Sequence, residues 1–571
     1  MEVVRFMREG VHLVGVHDSP PCYPEKIKAA SLTKQDLEDS AVWRRKAIIE
    51  WVETSDPSHL RHLEGTALEE TDMGFIEGPF WSEREVSDYF GHDRWMVVRR
   101  FVLVQGTEQK LRPIDDCLEA QLNMGFTSTS YLKLQDVDYI ASLALKVAEA
   151  VSTGQQRHGS GEWKGKCLDL SKAYKQMGIH PSDRHLAVVY FAGEDGRPRF
   201  YVANSLMFGS TAAVYSFNRV SRSIWWLFNK MLLIPCGVFY DDYPLFSPAE
   251  LAEDSDASAS ALLDILGWKH ARTGPKGLPF SQRFQVLGCT LDLRHVPQGD
   301  VVTENKPGRL DRIREQLTRI KQAGKISLHE AQILHGLLRY SCGFFAGRHL
   351  FQVCAEIVNF MSALATSRRA NVSDFCDYAA DMLERSKPRT ISSAGERRPI
   401  LIFTDGAWES GVSGLGAVLV DCATGESHVL SGEVTGVLID HWKQQVGEQL
   451  ICQIELYAMV AVRWQFRKLI DQRRVIWFVD NEAARFSAIK GISATTTMRA
   501  LVREFFSFEA ESLSFPWIER VPSASNPADG PSRNSPEEVM TLLGVDACSV
   551  LEHPAELISR LIQSSRSLKK G

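Results

Sequence analysis

The chain has 571 residues, of which 44% are hydrophobic and 24% are charged, and its net charge is −6 at pH 7. These values are those of ordinary globular protein, and the length suits about three or four domains. The slightly acidic balance excludes a strongly basic chain, but a local basic track would suffice for nucleic-acid binding.

The cysteines and the apolar runs indicate the compartment. Eleven cysteines are scattered along the chain without a C-x-x-C pair, which argues against a zinc knuckle or a disulfide scaffold and favours a reducing compartment. The first 20 residues have no long apolar core, and no apolar run anywhere approaches about 18 residues. We therefore expect a cytoplasmic or nuclear protein that does not bind a membrane.

In chain order, residues 1–75 are mixed and charged, and the sequence predicts a structural extension there. The next apolar stretch, residues 95–105, predicts one or two strands, and a polar turn leads to the basic residues Lys110 and Arg112. A guanidinium group suits phosphate oxygens, so Arg112 is a candidate for binding phosphate groups. An exposed arginine at a strand end is the simpler alternative.

Two stretches place carboxylates at strand ends. One apolar strand ends at Asp169, and an aromatic residue, Tyr174, follows five residues later. Further on, residues 238–246 predict a β-hairpin whose tight turn carries Asp241 and Asp242. Ordinary turn chemistry explains an Asp pair taken alone. Together with Asp169, the pair could form a site for Mg²⁺, which prefers oxygen ligands.

On these motifs the chain resembles a reverse transcriptase with a downstream ribonuclease H domain, as in retroelement polyproteins, between residues 75 and 535. Asp169 matches the first Asp of the palm, and residues 239–242, Phe-Tyr-Asp-Asp, match the aromatic-x-Asp-Asp hairpin. The loop at residues 526–533 is similar to that of the tyrosine-recombinase (DIRS-like) branch.

The resemblance implies roles for further residues. Arg112 and Lys110 would meet the incoming dNTP, with Lys110 compensating for Gln105 at a position where the family often has Lys. Tyr174 would lie under the sugar and select deoxynucleotides, or serve as a core aromatic. Gly209 would begin a helix beneath the templating base pair, preceded by Phe208 where many members have Gln.

The segment after the hairpin supplies candidates for binding phosphate groups. Lys276 stands in a Gly/Pro-rich turn, and the resemblance implies that it reaches the triphosphate; a solvated loop lysine is the alternative. Residues 306–325 carry seven basic and two acidic residues at helical spacing. Such a helix could follow a phosphate backbone in a thumb, or it could be a solvated surface.

A second series of acids follows a linker-like stretch at residues 392–396. Asp405 and Asp480 each end an apolar strand, Glu455 falls in a predicted helix, and Asp529 lies in a loop. Each acid alone is better explained as a cap or a surface residue. In this order they match the ribonuclease H pattern, which implies two Mg²⁺ ions that promote phosphodiester cleavage by water. The loop before Asp529 has Ser523 and Ser525 where many ribonucleases H have a His.

The predicted fold class is α/β, with the α+β fingers and palm of a right-hand polymerase, a helical thumb or connection, and an α/β ribonuclease H-like domain. The predicted domains are an N-terminal extension (1–75), fingers and palm (76–300), thumb and linker (301–395), a ribonuclease H-like domain (396–540) and a C-terminal helical tail (541–571).

The resemblance implies an RNA-directed DNA polymerase with ribonuclease H activity, holding two Mg²⁺ (or Mn²⁺) ions per active centre. Its partners would be an RNA template, a DNA primer, an RNA–DNA hybrid and dNTPs. The seven acids would act in catalysis and as metal ligands: Asp169, Asp241, Asp242, Asp405, Glu455, Asp480 and Asp529. The alternatives are a catalytically weak or dead nucleic-acid-binding relic of a retroelement, and an interaction scaffold with coincidental acids that binds no Mg²⁺.

Overall fold

The computed structural model describes residues 2–50, 56–105, 110–156, 159–343, 348–365, 372–511 and 514–569. The chain forms two compact units, Met1–Leu143 with Glu162–Leu287 and Ala144–Gly161 with Gly288–Gly571. Helices and mixed sheets occur in both units, which confirms the predicted α/β class. Within the described ranges, no helix combines the length and apolar character needed to cross a membrane.

The first unit contains most of the elements before residue 288. Its helices are α1 (Glu2–Glu9), α2 (Lys34–Asp39), α3 (Ala41–Glu50), α4 (Pro57–Asp72), α5 (Glu83–Phe90), α7 (Thr211–Lys230) and α8 (Ala252–Ile265), while α6 (Val137–Ser152) contributes residues to both units. Its strands are β1 (Gly15–Val16), β2 (Glu25–Lys28), β3 (Ile76–Phe80), β4 (Val97–Gln105), β5 (Lys110–Asp115), β6 (Phe126–Ser130), β7 (Trp163–Asp169), β8 (Val188–Ala192), β9 (Pro198–Ala203), β10 (Asp242–Pro248) and β11 (Arg283–Val286).

The strands of the first unit other than β11 form three groups. A five-stranded sheet has the order β3-β9-β8-β4-β5, a three-stranded sheet has the order β1-β6-β2, and β7 pairs with β10. Strands β4 and β5 pair antiparallel, as expected for the predicted hairpin. Residues 106–109, which connect them, lie outside the described ranges. This arrangement places the two strands that carry acids, β7 and β10, side by side.

Helix α7 is the central helix of this unit. Its N-cap, Ser210, accepts a hydrogen bond from the backbone N–H of Ala213, which satisfies one of the unpaired donors of the first turn. Its apolar side, including Phe217 and Phe228, packs into a core shared with Leu168 and Tyr243 of the acid-bearing strands. The helix therefore supports β7 and β10 from one side.

The N-terminal segment belongs to the same core. Phe6, Leu37 and Leu63 are buried together with Leu168. The described residues before position 75 thus pack as part of the first unit, although their sequence contains no candidate catalytic or binding motif. The predicted division of the chain into five domains stays a prediction, since the two compact units follow different boundaries.

The second unit contains the remaining elements. Its helices are α9 (Arg309–Ala323), α10 (Leu328–Gly343), α11 (Arg348–Ala365), α12 (Val372–Arg385), α13 (Gly436–Val446), α14 (Ile451–Gln465), α15 (Glu482–Lys490), α16 (Thr496–Glu511), α17 (Asp529–Ser532), α18 (Glu537–Leu543) and α19 (Ala555–Lys569). Its strands are β12 (Cys289–Asp292), β13 (Asp300–Asn305), β14 (Arg389–Ser392), β15 (Ile400–Glu409), β16 (Val412–Asp421), β17 (Ser427–Gly432), β18 (Arg474–Val479), β19 (Phe515–Arg520) and β20 (Ser549–Val550).

A six-stranded mixed sheet dominates the second unit, in the order β19-β18-β15-β16-β17-β20. Strands β15, β16 and β17 are antiparallel neighbours, whereas β15, β18 and β19 run parallel. Helix α14 is buried on this sheet along most of its length, and its apolar residues share a core with β15 and β16. Strands β15 and β18 pair from Ile400 opposite Val475 to Thr404 opposite Val479, so Asp405 and Asp480 both follow the last paired residues. The predicted strand end at Asp405 is wrong, since β15 continues to Glu409 in its pairing with β16.

Helices α9 to α12 form a second core within this unit, centred on residues such as Leu334 and Leu350. This helical group is joined to α16 by buried ion pairs. Glu356 of α11, only 2% exposed, pairs with Arg499 and Arg503, and Arg503 also pairs with Asp374. Removing one partner of such a buried pair would leave an uncompensated charge, so these contacts fix how the helices dock.

Candidate metal centres

The first acidic centre is built on the pairing of β7 and β10. These strands are antiparallel, and Asp242 lies directly opposite Asp169 in the register. Residues Tyr240 and Asp241 form the turn that precedes β10, closed by hydrogen bonds between Phe239 and Asp242 of 2.9 and 3.0 Å. The predicted Asp pair is thus divided: Asp241 lies on the turn, and Asp242 begins the strand.

The turn is held from below by α7. Tyr240 has a φ of +54°, in the left-handed region that most side chains avoid. Its carbonyl oxygen accepts a hydrogen bond from the hydroxyl of Ser221, which also contacts the Tyr243 hydroxyl. These contacts with a buried helix compensate the strain of the turn and fix the direction of Asp241.

Burial and mutual repulsion raise the pKa values of this centre. Burial, with Asp241 and Asp169 as further causes, raises the pKa of Asp242 to about 6. Burial also raises the pKa of Asp241, while the charges of Lys276 and Arg112 act in the opposite direction. Carboxyl groups with raised pKa values are groups that a cation stabilises in the charged form.

A lysine already provides positive charge at this centre. The ammonium group of Lys276 donates to both carboxylate oxygens of Asp169, at 2.8 Å each. The ion pair shows that the site accepts a positive charge beside Asp169. The carboxylate oxygens of Asp169, Asp241 and Asp242 do not all lie within 4.8 Å of one another, whereas those of the second centre, described below, do.

Three of the predicted dNTP-binding residues, Arg112, Tyr174 and Lys276, are close enough to Asp241 for electrostatic interaction. Arg112 is exposed on β5, close enough to Asp241 for its charge to affect that carboxyl. Lys110 is exposed on the same strand two residues earlier, so the two side chains share a face. Tyr174 is half-buried, and its ring packs against Phe217 at 4.8 Å and Phe208 at 5.9 Å between centroids. Tyr174 is therefore a core aromatic residue that also lies near Asp241.

Gly209 is required by a close backbone approach. Its φ is +130°, and a Cβ at this position would clash with the carbonyl oxygen of Asp115. The adjacent backbone is tied to β5 by a hydrogen bond of 3.2 Å from Asp115 N to the Phe208 carbonyl. The glycine thus lets the chain before α7 pack against the strand that carries Arg112.

Sequence reasoning missed a buried charge network beneath these residues. Arg100 of β4 is 3% exposed and pairs with Asp115 at 2.7 Å and Glu70 at 2.9 Å, while Lys175 pairs with Glu70 at 3.3 Å. The network links β5, which carries Arg112, to the residue after Tyr174. No local pattern signals it, since its members are separated by up to 105 residues.

The second acidic centre is assembled at one edge of the six-stranded sheet. Asp405 lies within β15, Asp480 directly follows β18, and Glu455 comes from the buried helix α14. Gly406 makes this possible, because a Cβ there would lie only 2.8 Å from the backbone N of Glu455. Asn481 caps α15 by accepting from Ala484 N, which fixes the chain just after Asp480.

The three side chains form a compact group. Their ligand oxygens all lie within 4.8 Å of one another, and across the described residues this is the one such group of three or more possible metal ligands. Burial, with Asp405 and Asp480 as further causes, raises the pKa of Glu455 to about 10. Burial likewise raises the pKa of Asp405 to about 6, partly offset by the Ser532 hydroxyl.

The group fits a hard divalent cation. Glu455 Oε2 and Asp480 Oδ1 are buried oxygens that accept no hydrogen bond from the described residues. Buried acceptors without a partner are costly, and oxygen ligands from a few carboxylates are those that Mg²⁺ and Mn²⁺ prefer. Asp405, Glu455 and Asp480 could therefore bind a metal ion.

Asp529, the fourth predicted acid, stands outside this compact group. It begins α17, is 43% exposed at the side chain, and pairs with Arg533 at 3.1 Å. It is still close enough for its charge to contribute to the raised pKa of Asp405. Arg533 also pairs with Glu409 at the end of β15, so Asp529 is held at the rim of the centre.

Two neutral residues that hold Asp405 were missed from the sequence. Asn526 donates from Nδ2 to Asp405 Oδ1 at 3.3 Å and to the Thr404 carbonyl at 3.1 Å. The Ser532 hydroxyl donates to Asp405 Oδ2. Both residues flank Asp529 in the loop that resembles the DIRS-like branch, and this loop was the available signal.

Glycines on β16 let this loop lie on the sheet. A Cβ at Gly416 would clash with the Ala528 carbonyl and the Ser532 backbone N, and one at Gly414 would clash with the Ser532 carbonyl. Helix α17 therefore packs directly on the strand next to Asp405. The alternation Gly-Leu-Gly at residues 414–416 is thus part of how the second centre is built.

The predicted basic helix is α9, and part of its charge is engaged within the second unit. Arg314 pairs with Asp311, Lys321 contacts Asp377, and Arg309 stacks on the Tyr340 ring at 4.3 Å. Lys306 and Lys325 are exposed at its two ends. The helix is a mixed surface in which several basic side chains have structural partners.

Comparison with known proteins gives distant likenesses among solved structures only. No protein-family model matches the chain, and no curated protein matches it. Among solved structures, the chain is similar to a foamy viral protease-reverse transcriptase (dRH) in complex with double-stranded DNA, at 11% identity and a TM-score of 0.38. The likeness covers 79% of this chain and 68% of that one.

Proposed function

We propose that the chain is an RNA-directed DNA polymerase that extends a primer with dNTPs and cleaves the RNA strand of an RNA–DNA hybrid. The observation that carries the proposal is the assembly of two separate acidic centres from the predicted elements. One has Asp242 opposite Asp169 on paired strands, and the other brings Asp405, Glu455 and Asp480 within 4.8 Å of one another. Two such centres in one chain suit a polymerase combined with a nuclease.

In the first centre, Asp169 and Asp241 are the principal ligands of two Mg²⁺ or Mn²⁺ ions, and Asp242 supports them. Such ions, when bound, stabilise the developing charge on the primer hydroxyl and on the leaving pyrophosphate. The exposed guanidinium of Arg112 and the ammonium group of Lys110 bind triphosphate oxygens from β5. Lys276 extends to the same triphosphate from the other side of the centre.

The residues beside the acids orient the nucleotide. Tyr174 presents its ring next to the sugar and disfavours a 2′-hydroxyl, because its packing against Phe217 and Phe208 prevents the ring from moving aside. Gly209 allows the backbone before α7 to approach β5 beneath the templating base pair.

In the second centre, Asp405, Glu455 and Asp480 hold the metal ions and Asp529 completes the set from the rim. The buried oxygens of Glu455 and Asp480 that lack a hydrogen-bond partner accept the cation. Asn526 and Ser532 keep the Asp405 carboxylate turned toward it. The substrate of this centre is the RNA strand of the hybrid that the first centre makes.

The chain is best described as part of a retroelement polyprotein, of the DIRS-like branch by its residue 526–533 loop. In this proposal the fingers and palm lie in 76–300, the thumb and linker in 301–395, and the ribonuclease H-like domain in 396–540. Residues 1–75 form a structural extension that packs into the core of the first unit. Residues 541–571 form a C-terminal helical tail that also supplies β20 to the six-stranded sheet.

Primer extension on a poly(rA) template with oligo(dT), dTTP and Mg²⁺ tests the first centre. We expect extension by the wild type and none by Asp241→Asn; full extension by that variant would refute the assignment. Cleavage of a labelled hybrid tests the second centre, where Asp480→Asn should be inactive and undiminished cleavage would refute the role.

The second candidate function is a folded, catalytically weak or dead nucleic-acid-binding relic. The observation that favours it is the first centre, where Lys276 occupies both oxygens of Asp169 and the three carboxylates do not converge within 4.8 Å. Gln105, Phe208 and the absence of a His near Ser523 and Ser525 point the same way. Against it, all seven predicted acids are present. A well-folded protein that binds the hybrid but neither extends nor cleaves it would establish this alternative.

A further inference from the structure

Lys276 forms an ion pair with both carboxylate oxygens of Asp169. The ammonium nitrogen is 2.8 Å from Oδ1 and 2.8 Å from Oδ2, so both oxygens of Asp169 are engaged by one positive group. A divalent cation that binds Asp169 uses the same oxygens. Lys276 and the metal therefore compete for one carboxylate.

The segment around Lys276 is built to let the side chain leave. It sits at the end of a single helical turn, Gly274–Lys276, between Gly274, with a φ of +74°, and Gly277. The side chain is 68% exposed, and its ion-pair partner among the described residues is Asp169. An exposed ion pair contributes little to stability, so releasing it costs little.

The remaining acids of the centre make the competition one-sided. Asp169 is 12% exposed at the side chain, and Asp241 and Asp242 lie beside it without a hydrogen-bonded cation of their own among the described residues. One ammonium group neutralises one carboxylate, whereas a divalent ion interacts with two or three at once. A metal ion that enters the centre therefore displaces Lys276, and the reverse exchange occurs when the metal leaves.

We propose that Lys276 is a latch on the first metal centre: it neutralises Asp169 in the metal-free protein, is displaced when a divalent cation binds, and is thereby released to bind the triphosphate. The latch would regulate the polymerase centre, and this proposal rests on the function proposed above. It links metal loading to nucleotide binding, because the side chain cannot contact Asp169 and the triphosphate together. By linkage, each ligand then favours the other.

Mn²⁺ binding to the full chain tests the latch without nucleic acid or nucleotide. The free-ion electron paramagnetic resonance signal reports the bound fraction, and Asp480→Asn is present throughout to weaken the second centre. We expect Lys276→Ala to bind Mn²⁺ roughly two- to five-fold more tightly, the range for loss of one exposed ion pair. Lys269→Ala, which removes another exposed lysine of the same segment, should leave the affinity unchanged.

A thermodynamic cycle separates a direct contact from a general charge effect. In an Asp169→Asn background, the gain from Lys276→Ala should disappear, because the partner of the ammonium group is gone. Equal gains from the two lysine variants, or a gain that persists without Asp169, would overturn the latch.

Primer extension by the same proteins distinguishes failure of the latch from failure of the proposed function. A wild type that extends primers while Lys276→Ala binds Mn²⁺ no more tightly refutes the latch alone. A protein whose first centre binds no Mn²⁺ and extends no primer refutes both. Release of Lys276 also predicts that Lys276→Ala raises the KM for dTTP more than it lowers kcat.

Discussion

The two acidic centres handle the crowding of carboxylates in opposite ways. In the first, Lys276 neutralises Asp169 and the other acids lie on a turn and a strand start. In the second, Asp405, Glu455 and Asp480 are already gathered. Asp405 there is held by hydrogen bonds from the neutral groups of Asn526 and Ser532. In the first centre Lys276 neutralises one of the three carboxylates without metal, whereas in the second burial and mutual repulsion raise the pKa values of Asp405 and Glu455 without a neighbouring ammonium group among the described residues.

The difference follows from the elements that carry the acids. A strand, a parallel neighbour and a buried helix fix the second set, and their positions are determined by the packing of the sheet. Asp241 of the first set lies on a two-residue turn supported by Ser221. In this protein, the acids fixed by the sheet and α14 are already gathered, whereas the centre that includes the turn has a lysine paired with one of its acids.

Among the variants that leave the acids unchanged, we expect the largest loss of activity from Gly416, which lets α17 pack on β16. Gly416→Ala places a methyl group against the backbone of Ala528 and Ser532, so α17 must move away from Asp405. Displacements of this kind cost about 100-fold in rate. We expect hybrid cleavage to fall by roughly that factor while primer extension stays at the wild-type level.

A matched control is available in the same unit. Gly436 begins α13, and a Cβ there would have nothing within 4 Å. Gly436→Ala should retain both activities. If Gly416→Ala cleaves hybrids as fast as Gly436→Ala, the packing of α17 does not position the second centre.

Strand ends and helices could be predicted from the sequence, but the partners of the acids could not. The termini of β7 and β18 at Asp169 and before Asp480 follow from apolar runs that end in a carboxylate. The contacts that decide the character of each centre, Lys276 with Asp169 and Ser532 with Asp405, span 107 and 127 residues. No local pattern encodes such contacts, and Asp529 matched the pattern yet lies at the rim.

The next effect concerns the hydroxyl that holds Asp405. Ser532→Ala removes the donor to Asp405 Oδ2, and a hydrogen bond to a charged group is worth about 1.5–3 kcal/mol. We expect roughly a 10-fold loss in hybrid cleavage under single-turnover conditions, with primer extension unchanged. Ser535→Ala, a serine outside this contact, is the control. Equal cleavage by both variants would exclude the role of Ser532.

The melting temperature reports how much the buried acids of the second centre destabilise the metal-free protein. Glu455→Gln removes a buried carboxyl group next to two others, and we expect the melting temperature in EDTA to rise, by about 1–2 kcal/mol in stability. Excess Mg²⁺ should raise the melting temperature of the wild type but not of this variant. A variant less stable than the wild type in EDTA would show that repulsion does not dominate there.

The remaining prediction is a pH dependence. The pKa of Asp405 in the folded protein is raised to about 6, above the value of about 3.9 for an unfolded chain. The contribution of Asp405 to the free energy of unfolding of the metal-free protein is therefore fully present below about pH 4, and it is lost as the pH rises through 6. Relative to the wild type in EDTA, Asp405→Asn should become more stable between these limits, by about 3 kcal/mol, since one pKa unit corresponds to about 1.4 kcal/mol. A pH-independent difference would contradict the raised pKa.

The central claim is that two independent metal centres act in one chain, the second preassembled and the first closed by a lysine. The most direct test measures extension and cleavage on one labelled RNA–DNA substrate as Mg²⁺ is titrated, with Asp241→Asn and Asp480→Asn assigning each activity to its centre. We predict that cleavage reaches half its maximum at a lower Mg²⁺ concentration than extension, and that each variant loses only its own activity. Coincident Mg²⁺ dependences, or loss of both activities in either variant, would contradict the account.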